Sequence, residues 1–257
     1  MIGVWAKSIN FATDIFSGQM FMLRFCLSFL LLFFPCFLFL GSKPSADVPD
    51  KSDVTLAVES AAYAGLYHSM QLEGVVSWKA FHQAVTGYHK IADRKRDVLT
   101  LIDFSRPSTE KRLFVFDMKQ RKLLFSSVVS HGKNSGDKYA TSFSNEYGSY
   151  KSSLGFYLTE TTYQGKNGYS LILNGLEKGI NDRARERAIV MHGAAYANPS
   201  VVSEGGRLGR SFGCPAVPQK LTRPIIDAIK GGSVMYIYAE APDYLAHSSV
   251  LKETDRL

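Results

Sequence analysis

The sequence predicts a mainly β protein of the α+β class, a sandwich or barrel with a helical extension on its N-terminal side. Three observations point there. Between residues 97 and 245, seven short runs of β-branched and aromatic residues are bounded by Gly, Asn, Asp, Ser or Pro. Only one later stretch, TRPIIDAIKG, reads as a helix. Ahead of these runs, residues 46–96 carry apolar positions at helical spacing. A chain of 257 residues, 46% hydrophobic and 21% charged, can bury the core of one ordinary domain plus a smaller appendage. That composition excludes a disordered tail, a collagen-like polymer and a disulfide-stapled miniprotein.

Residues 1–45 read as an export signal. Residues 25–40, FCLSFLLLFFPCFLFL, hold no charge, follow Arg24 and precede the small residues Gly41, Ser42, Ser45 and Ala46. Sixteen residues are close to the upper limit of a signal core and short for a membrane span. The run starts late, and initiation at Met20 or Met22 would give a conventional short basic leader. The protein is therefore expected to be exported, touching a membrane only through this segment if it stays uncleaved. Removing residues 1–45 changes the formal charge from +7 to +5 and leaves Cys214 as the single cysteine. An unpaired thiol in an oxidising compartment is either buried and inert or kept for its chemistry.

In the extension, PSADVPDKSDV is a polar linker. LAVESAAYAGLYHSM and SWKAFHQAVTGYHKIADR then form two helices, the second capped by Ser77. His82 and His89 share a face of it but have no partner at ligand spacing, so no metal is expected. The seven runs follow: DVLTLIDF, KRLFVFDM, KLLFSSVV, LGFYLTE, SLILNG, RAIVMHG and SVMYIYAE. Tyr163, Lys166, Asn167 and Tyr169 read either as a substrate-side loop or as an ordinary hairpin. Residues 132–153 and 193–210 are long stretches rich in Gly and Ser, and loops of that length inside a compact domain are usually functional. Residues 246–257 are a C-terminal tail. The basic triplets RKR and EKR read as solvated faces, and nucleic acid is not an expected partner.

The chemistry concentrates in IVMHGAAYANPSVVSEGGRLGRSFGCPAVP, residues 189–218. A β-branched run ends at His192, Gly193 follows, and after a loop comes Arg210-Ser211-Phe212-Gly213-Cys214-Pro215. A nucleophilic cysteine needs a neighbouring base or dipole to raise its thiolate fraction, and a histidine at a strand end is held rigidly enough to serve. Gly213 lets a substrate backbone approach the thiol, and amides around Gly213 and Cys214 could face a developing oxyanion. The reaction class suggested is acyl transfer through a thioester. His131, in SHG, rivals His192, in MHG; it could instead line the cleft. Arg207 and Arg210 could hold a carboxylate through bidentate pairs.

This segment resembles the catalytic signature of YkuD-type L,D-transpeptidases, His-Gly, a loop, then Ser-x-Gly-Cys. The fuller resemblance is to the divergent murein L,D-transpeptidase catalytic-domain family. It runs through DFSRPSTEKRLFVFD, VVSHGKNSG, FSNEYGSYKSSLGFYLT, YQGKNGYSLILNGLEKGINDRARERAIVMHGAAY and GRSFGCPAVP, about residues 75–240. It implies an L,D-transpeptidase-like β-sandwich or barrel at residues 97–245. It also implies a periplasmic enzyme acting on peptidoglycan stem peptides without metal or organic cofactor. Cys214 would attack at the L-centre of diaminopimelate, expel D-alanine and pass the acyl group to a second stem. His192 would move the proton, Gly213 and Cys214 would supply oxyanion donors, and Ser211 would shape the loop. Arg210, His131, Gly193 and Tyr163 are the expected substrate-side residues.

The chain departs from the common signature at two places. Phe212 stands where a second histidine is usual, and Pro215-Ala216-Val217 follows the cysteine in place of a polar or basic residue. The divergent family shares both, which leaves open only the residue that binds the acyl acceptor. An L,D-carboxypeptidase would need the same site with water as acceptor. A non-catalytic wall-binding protein would keep the fold and lose the need for the thiol. A papain-like peptidase would need cysteine first and histidine later, the reverse of this order.

Overall fold

The computed structural model describes residues 51–252. The segment at 1–45 expected to be an export signal, the start of the linker and the last five residues of the tail lie outside the described residues. Among the described residues no helix is long and apolar enough to cross a membrane.

Eight strands form one sheet: β1 (Val98–Asp103), β2 (Leu113–Asp117), β3 (Lys122–Ser127), β4 (Gly155–Gly165), β5 (Gly168–Gly175), β6 (Val190–Ala194), β7 (Ala216–Pro218) and β8 (Val234–Tyr238). Their order is β3-β2-β1-β8-β4-β5-β6-β7. The two edges nearly meet. Beyond β3 the chain swings across, and Ser130 makes an antiparallel bridge to Ala216 on β7, its N–H donating to the Ala216 carbonyl at 2.8 Å. The sheet is thus an almost closed barrel, which leaves few unpaired edge groups.

Each of the seven apolar runs becomes a strand. β1 and β8, paired in parallel, are buried along their whole length and read as continuous apolar runs for that reason. β4 and β5 pair antiparallel from Tyr157↔Gly175 to Gly165↔Gly168, so the Tyr163–Tyr169 stretch is a hairpin. The eighth strand, β7, was not expected. It has three residues, no alternation, and a proline at its end.

Among the described residues five α-helices accompany the sheet: α1 (Lys51–Ser69), α2 (Trp78–Lys90), α3 (Val201–Gly205), α4 (Gln219–Ile229) and α5 (Pro242–His247). Ser77 caps α2, accepting the Ala80 N–H at 3.4 Å. α2 buries Ala80, Phe81, Ala84 and Val85 completely, in the same core cluster as β1, β2 and β8. Phe81 meets Phe116 edge-on, and the Tyr236 hydroxyl donates to Gln83. Burying Phe81 alone is worth about 1.5–3 kcal/mol. No break in the core therefore falls at residue 97. α1 packs on α2 through Tyr63 and Tyr67, whose rings meet His82, His89, Trp78 and Phe81, and is otherwise largely exposed. α4 turns Thr222, Ile225, Ile226 and Ile229 inward and backs the strands that carry the site.

Candidate active site

Strand register assembles the site. Tyr163, Ser170, His192 and Ala216 occupy one row across β4, β5, β6 and β7. Paired residues share a face of a sheet, so His192 and Ala216 point the same way. Cys214 lies one strand over from His192 and two residues before its partner. The parallel pairing of β6 with β7 brings together two residues that are 22 positions apart.

The turn before β7 is braced from inside. The Ser211 hydroxyl donates to the Cys214 carbonyl at 2.6 Å and accepts the Gly213 N–H at 3.0 Å. The Ser152 hydroxyl donates to the Gly213 carbonyl at 3.1 Å. Gly213 has φ +125°, and a side chain there would meet Ile189 and the Lys151 carbonyl at 2.9 Å each. Only glycine meets both demands. Ser211 thus engages the Gly213 N–H, one of the two amides expected to face an oxyanion.

Cys214 is half-buried. Its Sγ accepts the Val190 N–H at 3.5 Å and points its own hydrogen toward the Ala188 carbonyl at 3.7 Å. Ala188 and Tyr150, both beside this turn, are non-glycine residues with positive φ (53° each). Strained backbone of this kind persists where the surroundings over-determine it, often at functional sites. Burial pushes the thiol up, while the Val190 N–H and the Arg187 guanidinium pull it back.

His192 is 4% exposed. Its Nδ1 lies 3.0 Å from the Gly193 carbonyl, which can only accept, so Nδ1 carries the hydrogen and Nε2 is left as the base. Nε2 has no hydrogen-bond partner among the described residues. Burial holds this imidazole below its ordinary value, partly opposed by the Gly193 bond. Burial therefore keeps both the thiol and the imidazole neutral at rest, on neighbouring strands of the β6–β7 pairing. Gly193 itself packs on α4, where any side chain would strike Thr222.

The other expected residues are placed as follows. Tyr163 is in the His192 row, two strands away, and 42% exposed. Arg210 donates to the Gly136 carbonyl at 2.9 Å and pairs with Asp137 at 3.3 Å. Arg207 pairs with the same carboxylate at 2.6 Å. Both arginines thus tie the 193–210 loop to the 132–153 loop. His131 is buried with both ring nitrogens engaged, Nδ1 accepting from Arg112 at 2.8 Å and Nε2 facing the Gly136 carbonyl at 3.4 Å. Its backbone does more for the site than its ring, since the His131 carbonyl accepts the Ser211 N–H at 2.9 Å. Phe212 is 66% exposed, and its ring leans on Tyr150 at 4.8 Å with Lys133 over both rings.

Sequence reasoning did not single out Arg187, Ser152 or Tyr196, which also border the turn. Tyr196 packs against Ala194, Ala197 and Ala216, and its phenol is pushed up to about 12 by burial and by the nearby thiol group. Arg187 hides in RARER, where alternating charge gives no sign of which arginine turns inward. Among the described residues no group of three or more His, Cys, Asp or Glu side chains could hold a metal ion.

Among solved structures, the chain is similar to an L,D-transpeptidase from Mycobacterium smegmatis. The two share 13% identity over 56% of this chain and 59% of that one, with a TM-score of 0.35. It is also similar to the LD transpeptidase LdtMt1 in complex with imipenem (14%, 55% and 59%, 0.33). A third is L,D-transpeptidase 3 from Mycobacterium tuberculosis (12%, 55% and 61%, 0.35). The chain spans about three fifths of the length of each. No curated protein matches it. The profile of the L,D-transpeptidase catalytic domain matches residues 72–238, from the turn before α2 to the end of β8. With about two thirds of its length inside that match, the chain belongs to the L,D-transpeptidase catalytic domain family.

Proposed function

We propose that this protein is an exported, periplasmic cysteine acyltransferase that cross-links peptidoglycan stem peptides, diaminopimelate to diaminopimelate. The observation that carries this reading is the pairing of β6 with β7. It puts half-buried Cys214 and His192, whose Nε2 is open, on neighbouring strands, within a chain of this family, which supports this reading. In the first step Cys214 Sγ bonds to the carbonyl carbon at the L-centre of diaminopimelate, and its proton passes to His192 Nε2. The carbon–nitrogen bond to D-alanine breaks, and the imidazolium returns the proton to the leaving amine. The Cys214 N–H faces the transient oxyanion. In the second step an amine of another stem attacks the thioester, the carbon–sulfur bond breaks, and the thiol is restored with the proton His192 takes from that amine. Tyr163, in the His192 row, would border a peptide lying across the face. Arg210 and Arg207 shape the wall of the cleft through Asp137, and His131 supports the Ser211 turn.

Intact-mass measurement after mixing with disaccharide-tetrapeptide tests this. The expected results are an acyl adduct on Cys214 with loss of D-alanine, a dimer among the products, and neither in Cys214→Ala. Tripeptide without dimer would make the enzyme an L,D-carboxypeptidase. An equal outcome for wild type and Cys214→Ala would leave a wall-binding protein. A carbapenem is expected to acylate the same thiol, as read by a mass adduct lost in that variant.

A further inference from the structure

We propose that Arg187 is the positioning residue of the Cys214 turn: its guanidinium anchors the loop against Gly213 and supplies the positive charge beside the sulfur. This rests on the reading of Cys214 as the nucleophile. Arg187 lies three residues before β6, half-buried, and reaches back over the 144–153 segment. One terminal nitrogen donates to the Ser144 carbonyl at 2.8 Å and the Ser153 hydroxyl at 2.6 Å. The other donates to the Lys151 carbonyl at 2.7 Å and approaches the Ser149 hydroxyl at 3.3 Å. That Lys151 carbonyl is the same atom that presses on Gly213, and the second nitrogen itself lies 3.4 Å from where a Gly213 side chain would begin. The fork therefore fixes the wall against which the residue before Cys214 is turned.

The chain continues directly into the atoms that touch the sulfur, the Ala188 carbonyl and the Val190 N–H. Ala188 is held at φ 53°, so the segment from Arg187 to Val190 is bent around Cys214 and anchored at its start by four donor contacts. Two titratable groups act on the thiol, Arg187 from this segment and Tyr196 just after β6, and His192 lies across the β6–β7 pairing from this turn. Only Arg187 carries a full charge at neutral pH, since burial keeps His192 neutral and Tyr196 protonated. Around Arg187 itself stand Tyr157, Arg183 and Glu146, of which Arg183 and Glu146 pair with each other at 2.9 Å. Arg187 thus has no carboxylate of its own to neutralise it among its hydrogen-bond partners, all of which are hydroxyls or carbonyls. Its charge is left to act on the sulfur, where it favours the thiolate against the burial that disfavours it.

The test is the pH dependence of Cys214 alkylation by iodoacetamide in the full chain, which needs no peptidoglycan. Arg187→Gln is expected to raise the apparent thiol pKa by about one unit, and so to slow alkylation near pH 7 about tenfold. Arg187→Lys keeps the charge and loses the fork, so the thiol should stay within about half a unit of wild type while the melting temperature falls. If the glutamine variant does not fold, the lysine variant carries the test, and a rise of a unit or more in it would overturn the assignment. An unchanged thiol in a folded Arg187→Gln would overturn it too. A thiol that responds to Arg187 but takes no acyl group from tetrapeptide would instead sink the catalytic reading of Cys214.

Discussion

His131 and His192 each end an apolar run, each precede a glycine, and each lie against the Ser211–Cys214 turn, yet the molecule uses their rings in opposite ways. Around His131 both ring nitrogens are spent. Arg112, itself fully buried and lowered to about 9, donates to Nδ1 and to the Val129 and Arg106 carbonyls, and its guanidinium lies over the Phe104 ring. Burial and the Arg112 charge lower His131 to about 4, so it remains neutral across the physiological range. Around His192 one nitrogen is spent on Gly193 and the other is open. A histidine with both nitrogens engaged holds structure. One with a free Nε2 beside a thiol can move a proton. The shared His-Gly pattern does not distinguish them, because the partners come from other segments.

That contrast can be broken or sharpened by experiment. The largest effect belongs to His192→Asn, which should slow thioester formation on Cys214 by on the order of 10²–10⁴-fold with little change in melting. His131→Asn, which keeps an acceptor for Arg112, should instead show itself mainly in stability. Similar kinetic losses in both, with unchanged melting, would erase the distinction.

Acid separates them next. His131 is lower in the folded chain (about 4) than in the unfolded chain, so the unfolded state gains a proton first as pH falls. Its contribution, roughly 3 kcal/mol, is fully present above pH about 6.5 and is lost as pH drops toward 4. Urea unfolding at pH 7 and pH 4.5 should show that loss in wild type and a smaller one in His131→Asn. His192 is also held low, so the acid limb of the acylation rate should lie below the range of an ordinary histidine. An acid limb at or above that range would mean that the ring is more solvated than its burial implies.

Gly213→Ala should cost about 1–3 kcal/mol and most of the acylation rate, because a β-carbon cannot share the space of the Lys151 carbonyl. The smallest effect is expected at Asp137→Asn. Asp137 is largely exposed, so releasing Arg207 and Arg210 should cost at most about 1 kcal/mol. A larger loss of activity than of stability there would mean that the two tied loops set the shape of the cleft.

Much of this was legible in the chain itself. The strands appear where β-branched runs are bounded by turn residues, and α2 starts at the serine that caps it. The candidate pair, His192 and Cys214, could be named from His-Gly and Ser-x-Gly-Cys. β7 was not legible, because Ala216–Pro218 has no periodicity and is a strand only because Ser130 and His192 lie on either side of it. Arg187 was hidden among neighbouring charges for a similar reason, since its partners sit 34 to 43 positions away.

What the sequence determined by itself is the set of parts: apolar runs of strand length, one capped helix, one thiol outside residues 1–45, and two candidate histidines. These follow from local rules of backbone and side chain that a neighbouring segment seldom reverses. Only the tertiary structure decided which histidine keeps a nitrogen free, which arginine turns toward the sulfur and which amide beside the thiol Ser211 engages. Each of those outcomes is a competition for hydrogen bonds and burial between segments far apart in the chain, and closing the barrel is what sets them against one another.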